Sequence, residues 1–196
     1  MGGGLASDRA EHQHMSTSAD AMPPRAKTTG VVYLLYFLTA VSDEAFVGRG
    51  RVLAFDAVNL IACAFYIAVT VLFYYMFRPV NRSLSLLAAI FSLVGCANDV
   101  LSVFKLAPYK ISSLAFFGPY CFLLGYLIFR SSFLPRTLGV LMALAGVGWL
   151  IVLSALANQL STYFKILGFL AEASLMLWLI VKGVDIARWK GRASAA

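Results

Sequence analysis

The sequence predicts an all-α fold, a polytopic transmembrane bundle of about six helices. Three observations predict it. Of 196 residues, 61% are apolar and only 13% charged, a balance suited to a chain solvated largely by hydrocarbon. Six apolar runs follow one another between residues 30 and 181, and a helix needs about 20 residues to cross a ~30 Å hydrocarbon layer. The sixteen basic residues behind the net charge of +7 stand singly or in pairs between those runs and at the chain ends, as loop charges of a membrane protein do. That distribution argues against a nucleic-acid partner and makes the lipid bilayer the expected one.

Residues 1–29 are rich in Ala, Gly, Ser and charge. They lack the basic-then-apolar order of a signal peptide and read as a disordered cytoplasmic tail. His12 and His14 form an H-x-H pair, but two ligands on a flexible tail do not make a metal site, and none is expected. The transmembrane helical domain is expected over 30–184. Its first run, Gly30–Val47, has a clean apolar part, "VVYLLYFLTAV", that stops at Ser42 before Asp43 and Glu44. It spans only if those acids sit at the far interface or face other helices. Ala54–Phe77, Ser83–Phe104, Ile111–Phe129, Leu138–Ala157 and Tyr163–Val181 follow. Residues 185–196 read as a basic cytoplasmic tail.

With the N-terminus inside, eleven basic residues fall in cytoplasmic segments and five outside. The rule that cytoplasmic loops carry the excess of Lys and Arg then places both termini in the cytoplasm. "FYIAVTVLFYYMFR" and "FGPYCFLLGYLIFR" share a Phe-Arg exit at Arg78 and Arg130, and each is followed by an Arg-x-Leu-x-x-Leu-x-Ala entry from Arg82 and Arg136. The pieces read as copies of a two-helix unit in parallel orientation. Arginine-flanked cytoplasmic turns in general read the same way.

Helical period gathers the polar residues into stripes. Asp56, Asn59, Cys63, Tyr66 and Thr70 share a face of the second helix, and Ser92, Gly95, Asp99 and Ser102 a face of the third. Tyr36, Thr39 and Asp43 align on the first, and Lys165, Gly168 and Glu172 on the sixth. Hydrocarbon offers such groups no hydrogen bonds, so the stripes should face other helices or water. Gly139, Ala143 and Gly146 make a small-residue packing face on the fifth helix, where another backbone can approach. The fourth is apolar apart from Pro119 and Tyr120; it is expected to kink there and to lie towards lipid.

Glu172 is the chemical centre of this reading. At 1.5 Å per residue it lies about 13 Å below Tyr163, near mid-membrane. Asp43, Glu44, Asp56, Asn59, Asn98 and Asp99 belong to the outer half and complete the candidate intramembrane polar site. An ionised residue at a helix centre costs roughly 2.5–3.5 kcal/mol, so Glu172 needs a partner, water or a proton, and protonation is the cheapest escape. Cys63, Cys96 and Cys121 lie far apart inside apolar runs and read as small core residues. There is no G-x-S-x-G, H-E-x-x-H or P-loop, and no His within the apolar runs. Neither catalysis nor a cofactor is therefore expected.

Three stretches carry a resemblance: "FRPVNRSLSLLAAIFSLVG" (77–95), "GYLIFRSSFLPRTLGVLMALAGVGWL" (125–150) and "AEASLMLWLIVKGV" (171–184). Together they resemble a bacterial family of integral membrane proteins known only as a domain of unknown function, DUF4386. The resemblance implies a helical bundle in the bacterial inner membrane. Glu172, Trp178, Lys182 and Gly183 fall where that family's closing motif carries such residues, as do Arg78, Pro79, Asn81 and Arg82 in its first cytoplasmic turn. The connection between the third and fourth helices is shorter than is usual in the family, and no activity is implied. Two functions are expected from the residues: a small-solute or ion/proton pathway, or a non-enzymatic structural or regulatory module. Either is compatible with a homo-oligomer or a further membrane partner.

Overall fold

The computed structural model describes residues 25–47, 52–106, 111–153 and 157–195. Seven helices are found among them: α1 Ala26–Val47, α2 Val52–Phe77, α3 Arg82–Val103, α4 Leu114–Arg130, α5 Arg136–Val152, α6 Ala157–Val181 and α7 Ile186–Ala193. The tail expected over 1–29 lies outside the described residues up to position 24. Beyond that point the expectation is corrected, because helix begins at Ala26 and Thr29 is fully enclosed.

Each of α1 to α6 packs against its neighbours in the chain, and α6 closes back onto α1, so the six form a ring. Short connections between long apolar helices favour this antiparallel order. Three of the helices are long and apolar enough to cross a membrane, over Asp56–Phe77, Arg82–Val103 and Thr162–Val181. The apolar stretches Ala26–Ser42, Leu114–Arg130 and Arg136–Val152 are shorter.

The seams are of two kinds. Between α4 and α5 the backbones nearly touch. A Cβ on Gly125 would stand 2.4 Å from the Ala143 nitrogen, one on Gly139 2.6 Å from that of Phe129, and one on Gly146 2.5 Å from that of Phe122. The stripe of Gly139, Ala143 and Gly146 thus meets Gly118 and Gly125 on α4. The α2–α3 seam is polar instead. The Thr70 and Ser92 hydroxyls pair at 2.5 Å, and Ser85 Oγ donates to the Tyr74 carbonyl at 3.1 Å. The two hairpins read in the sequence as copies are therefore held by different chemistry.

The expectation for α4 is corrected. Gly118, Tyr120, Cys121, Leu124, Gly125, Leu127 and Ile128 are all buried, so this helix is among the most enclosed. Its glycines let α5 approach on one side while its larger side chains fill the ring interior.

Helix ends are satisfied locally. Asn81 caps α3 by accepting from the Leu84 N–H at 2.9 Å, meeting one of the four donors that a helix start leaves free. Lys105, at φ +57°, closes α3, with its own N–H on Ser102 and that of Leu106 on the Leu101 carbonyl. That is the paired Schellman pattern, here with a lysine where glycine is usual.

The basic tail expected at the C-terminus is a docked helix. Trp189 of α7 is buried, and its Nε1 donates to the Met76 carbonyl at 2.9 Å. Arg188 Nη1 donates to the Ser132 carbonyl and Arg192 Nη2 to that of Arg130, both at 3.1 Å. Thus α7 occupies carbonyls that α2 and α4 leave open at their ends.

Candidate functional site

Glu172 lies within the α6 stretch Thr162–Val181, one residue after Ala171, which is wholly buried, as are Leu175 and Leu179 on the following turns. What faces it is set by the closure of the ring. A Cβ on Gly30 would stand 2.9 Å from the Ile180 nitrogen, so α1 crosses α6 closely and brings Tyr33 and Tyr36 inward. Tyr33 and Tyr36 of α1, Tyr66 of α2, and Tyr120 and Cys121 of α4 all lie within electrostatic reach of the Glu172 carboxyl. Tyr33 is the phenol that acts on it most directly.

The phenols form one aromatic cluster. Tyr36 and Tyr66 have ring centroids 4.5 Å apart. Tyr33 meets Phe73 edge-on at 5.8 Å, and Tyr66 meets Phe117 and Tyr120 edge-on at 5.0 and 5.8 Å. Edge-to-face pairs of this kind contribute about 0.5–1.5 kcal/mol each beyond their buried area. Gly168, one turn from Glu172, does leave space, and the Trp149 indole fills it: a Cβ there would meet Cζ2 at 2.5 Å. Glu172 itself is half-buried.

The other predicted residues divide. Asn98 and Asp99 of α3 hold the start of α4. Asn98 Nδ2 donates to the Ile111 carbonyl and to Ser113 Oγ, both at 3.0 Å, and Ser113 Oγ donates to Asp99 Oδ1. That is a helix-joining node. Asn59 Oδ1 receives the Cys63 thiol at 3.7 Å, and the Cys63 and Cys96 thiols meet across the α2–α3 seam. Asp56 is half-buried. The side chains of Asp43 and Glu44 lie outside the described residues. Of the six polar residues that the sequence grouped with Glu172, Asn98 and Asp99 thus serve the α3–α4 junction and Asn59 bonds within α2. The sequence missed Tyr33, Tyr120 and Trp149. Extending the Tyr36 stripe by one turn would have found Tyr33.

Chemically, the arrangement suits a proton. A phenol can donate to a carboxylate and accept from a carboxylic acid, so Tyr33 is able to partner Glu172 in either state. Among the described residues no three of His, Cys, Asp or Glu converge as a metal ion would require.

Fold and site define an all-helical protein, among the described residues, with three helices long and apolar enough to cross a membrane and a carboxyl within reach of several tyrosines. Residues 108–183 match the family model described as Domain of unknown function (DUF4386). An uncharacterised protein of Archaeoglobus fulgidus is 32% identical over 127 residues, which is 60% of this chain and 76% of that protein. The chain belongs to this family. No solved structure matches the chain.

Proposed function

We propose that this is a multi-pass integral membrane protein that binds and releases a proton at Glu172, as part of an ion or proton pathway. The observation that carries the reading is a carboxyl on a membrane-length helix within electrostatic reach of four phenols, Tyr33, Tyr36, Tyr66 and Tyr120, from three other helices. An acid in that setting is costly when charged and unpaired, and membrane proteins keep such residues mainly on ion and proton routes. The cluster is tightly packed, which favours proton exchange over passage of a bulky solute.

The test is proton uptake by proteoliposomes carrying an internal pH dye. Glu172→Gln keeps shape and hydrogen-bonding capacity and is expected to abolish pH-gradient dissipation above that of empty liposomes. Equal rates for wild type and variant would remove the proposal. A structural module is the second reading, favoured by the α4–α5 glycine crossing; it predicts folded protein and no flux in either form.

In this reading all of α1 to α6 cross, both termini are cytoplasmic and the membrane is the cytoplasmic one. Reporter fusions after Gly50, Asn81, Tyr109, Ser132, Gln159 and Ala196 are expected to alternate, starting outside. An inside signal at Gly50 with an outside one at Ala196 would contradict that topology.

A further inference from the structure

The close approach of α4 and α5 leaves a groove along the exposed side of the pair. Gly125 and Ala143 form its floor, because the two backbones meet there and neither residue has the bulk to raise it. Phe122, Tyr126 and Phe129 of α4 wall one side, and Val140, Leu144 and Val147 of α5 the other. These six are between 42% and 52% exposed, so the groove opens outward. It holds about 250 Å³, and no polar atom is exposed along it. Val140 and Leu144 also line a second hollow, which runs on to Arg136 and Thr137. From Arg136 to Val147 the joined groove covers about 16 Å at 1.5 Å per residue. That is half of a ~30 Å hydrocarbon layer, the depth of one leaflet. One turn further on, Leu150 lies over Gly118, 2.7 Å from where its Cβ would stand, and the groove stops.

The head of the groove is cationic. The Arg136 guanidinium carbon lies 5.8 Å from the centre of the Phe129 ring, a stacking that uses the flat face and leaves the N–H edge for an acceptor. Among the described residues no carboxylate pairs with Arg136; the ion pair at this end of the bundle joins Arg188 to Asp185. A guanidinium edge matches a phosphate, which it binds through two parallel hydrogen bonds. A channel one leaflet deep and wholly apolar matches a hydrocarbon chain and offers nothing to a soluble molecule. A second copy of the chain fits less well. Two-fold packing about the bilayer normal would set two Arg136 side chains at one depth, with Asp185 already committed to Arg188. We infer that this groove binds one anionic phospholipid, with an acyl chain between α4 and α5 and the phosphate on Arg136. The inference rests on the reading that α4 and α5 cross a bilayer, and it does not involve Glu172.

The test is native mass spectrometry of the full chain released from nanodiscs of mixed phosphatidylglycerol and phosphatidylcholine. Wild type is expected to retain phosphatidylglycerol with a preference of at least about tenfold, the worth of one hydrogen bond to a charged group. Arg136 is exposed, so Arg136→Gln should keep the fold, and it is expected to erase that preference. Val140→Trp fills the groove and is expected to lower retention of both lipids. Arg78 stacks on Tyr75 of α2 in the same way, at 5.6 Å, and Arg78→Gln should leave the preference as in wild type. Equal retention of the two lipids by wild type, or an unchanged preference in Arg136→Gln, would overturn the inference. So would a dimer that Val140→Trp dissociates, since a second copy would then be the occupant. A chain that does not enter nanodiscs at all would remove the membrane reading and this inference with it. Glu172→Gln is expected to keep the lipid preference whatever the proton fluxes measure, and a preference lost in that variant would contradict the site.

Discussion

Replacing Gly125 by leucine is expected to leave no folded protein. The first added atom alone would sit 2.4 Å from the Ala143 nitrogen and 2.6 Å from the Gly139 carbonyl oxygen. Those are backbone atoms, so no rotamer change relieves the clash, and α4 and α5 must separate. Overpacking that side chains can absorb costs about 1–3 kcal/mol; here the cost should exceed that range against a total stability of about 5–15 kcal/mol. Gly125→Ala should already lower Tm markedly. Gly191→Ala is the control: nothing lies within 4 Å of its added atom, and alanine should favour α7 by up to about 1 kcal/mol. A monodisperse Gly125→Leu protein with wild-type Tm in size-exclusion and thermal scans would refute the crossing.

Trp189→Ala has the second largest expected effect, about 3–5 kcal/mol of destabilisation, in the range of other buried aromatic-to-alanine changes. The change removes a buried indole and strips the Met76 carbonyl of its donor. Trp189→Phe should recover most of the packing and not the hydrogen bond, so its loss should be nearer 1 kcal/mol. The salt bridge between Arg188 and Asp185, 3.1 Å long, is well exposed, and Asp185→Asn should be nearly silent by comparison. Proteolysis of the C-terminal segment, with Tm, checks the series. Equal effects of Trp189→Ala and Asp185→Asn would show that α7 is not anchored through its tryptophan.

What the sequence disclosed follows from which interactions are local. Apolar runs and arginine-flanked turns mark α1 to α6 because each helix carries its own signal. The small stripe at Gly139, Ala143 and Gly146 is likewise written into one helix. Its counterpart on α4, Gly118 and Gly125, is masked by Pro119 and by bulky neighbours on other faces, and so α4 read as peripheral. The docking of α7 rests on a single tryptophan meeting a carbonyl 113 residues away, which no periodicity in an eight-residue helix announces. Glu172 stood out because a carboxyl in an apolar run is costly wherever it points. Its partners did not, because Tyr33, Tyr66 and Tyr120 come from three helices and converge only when α6 closes onto α1. Asn98 and Asp99 looked like members of the same site by depth alone, and Ser113 recruits them to a helix junction instead.

The central claim is that Glu172 holds a proton inside the ring, against Tyr33. Infrared spectroscopy of the carboxyl carbonyl stretch, in lipid at neutral pH, tests it most directly. The account predicts a protonated-carboxyl band that is absent in Glu172→Gln and shifted in Tyr33→Phe. Spectra of wild type and Glu172→Gln that coincide in that region at neutral pH, with a Glu172 carboxylate titrating near the ordinary value of about 4, would contradict it.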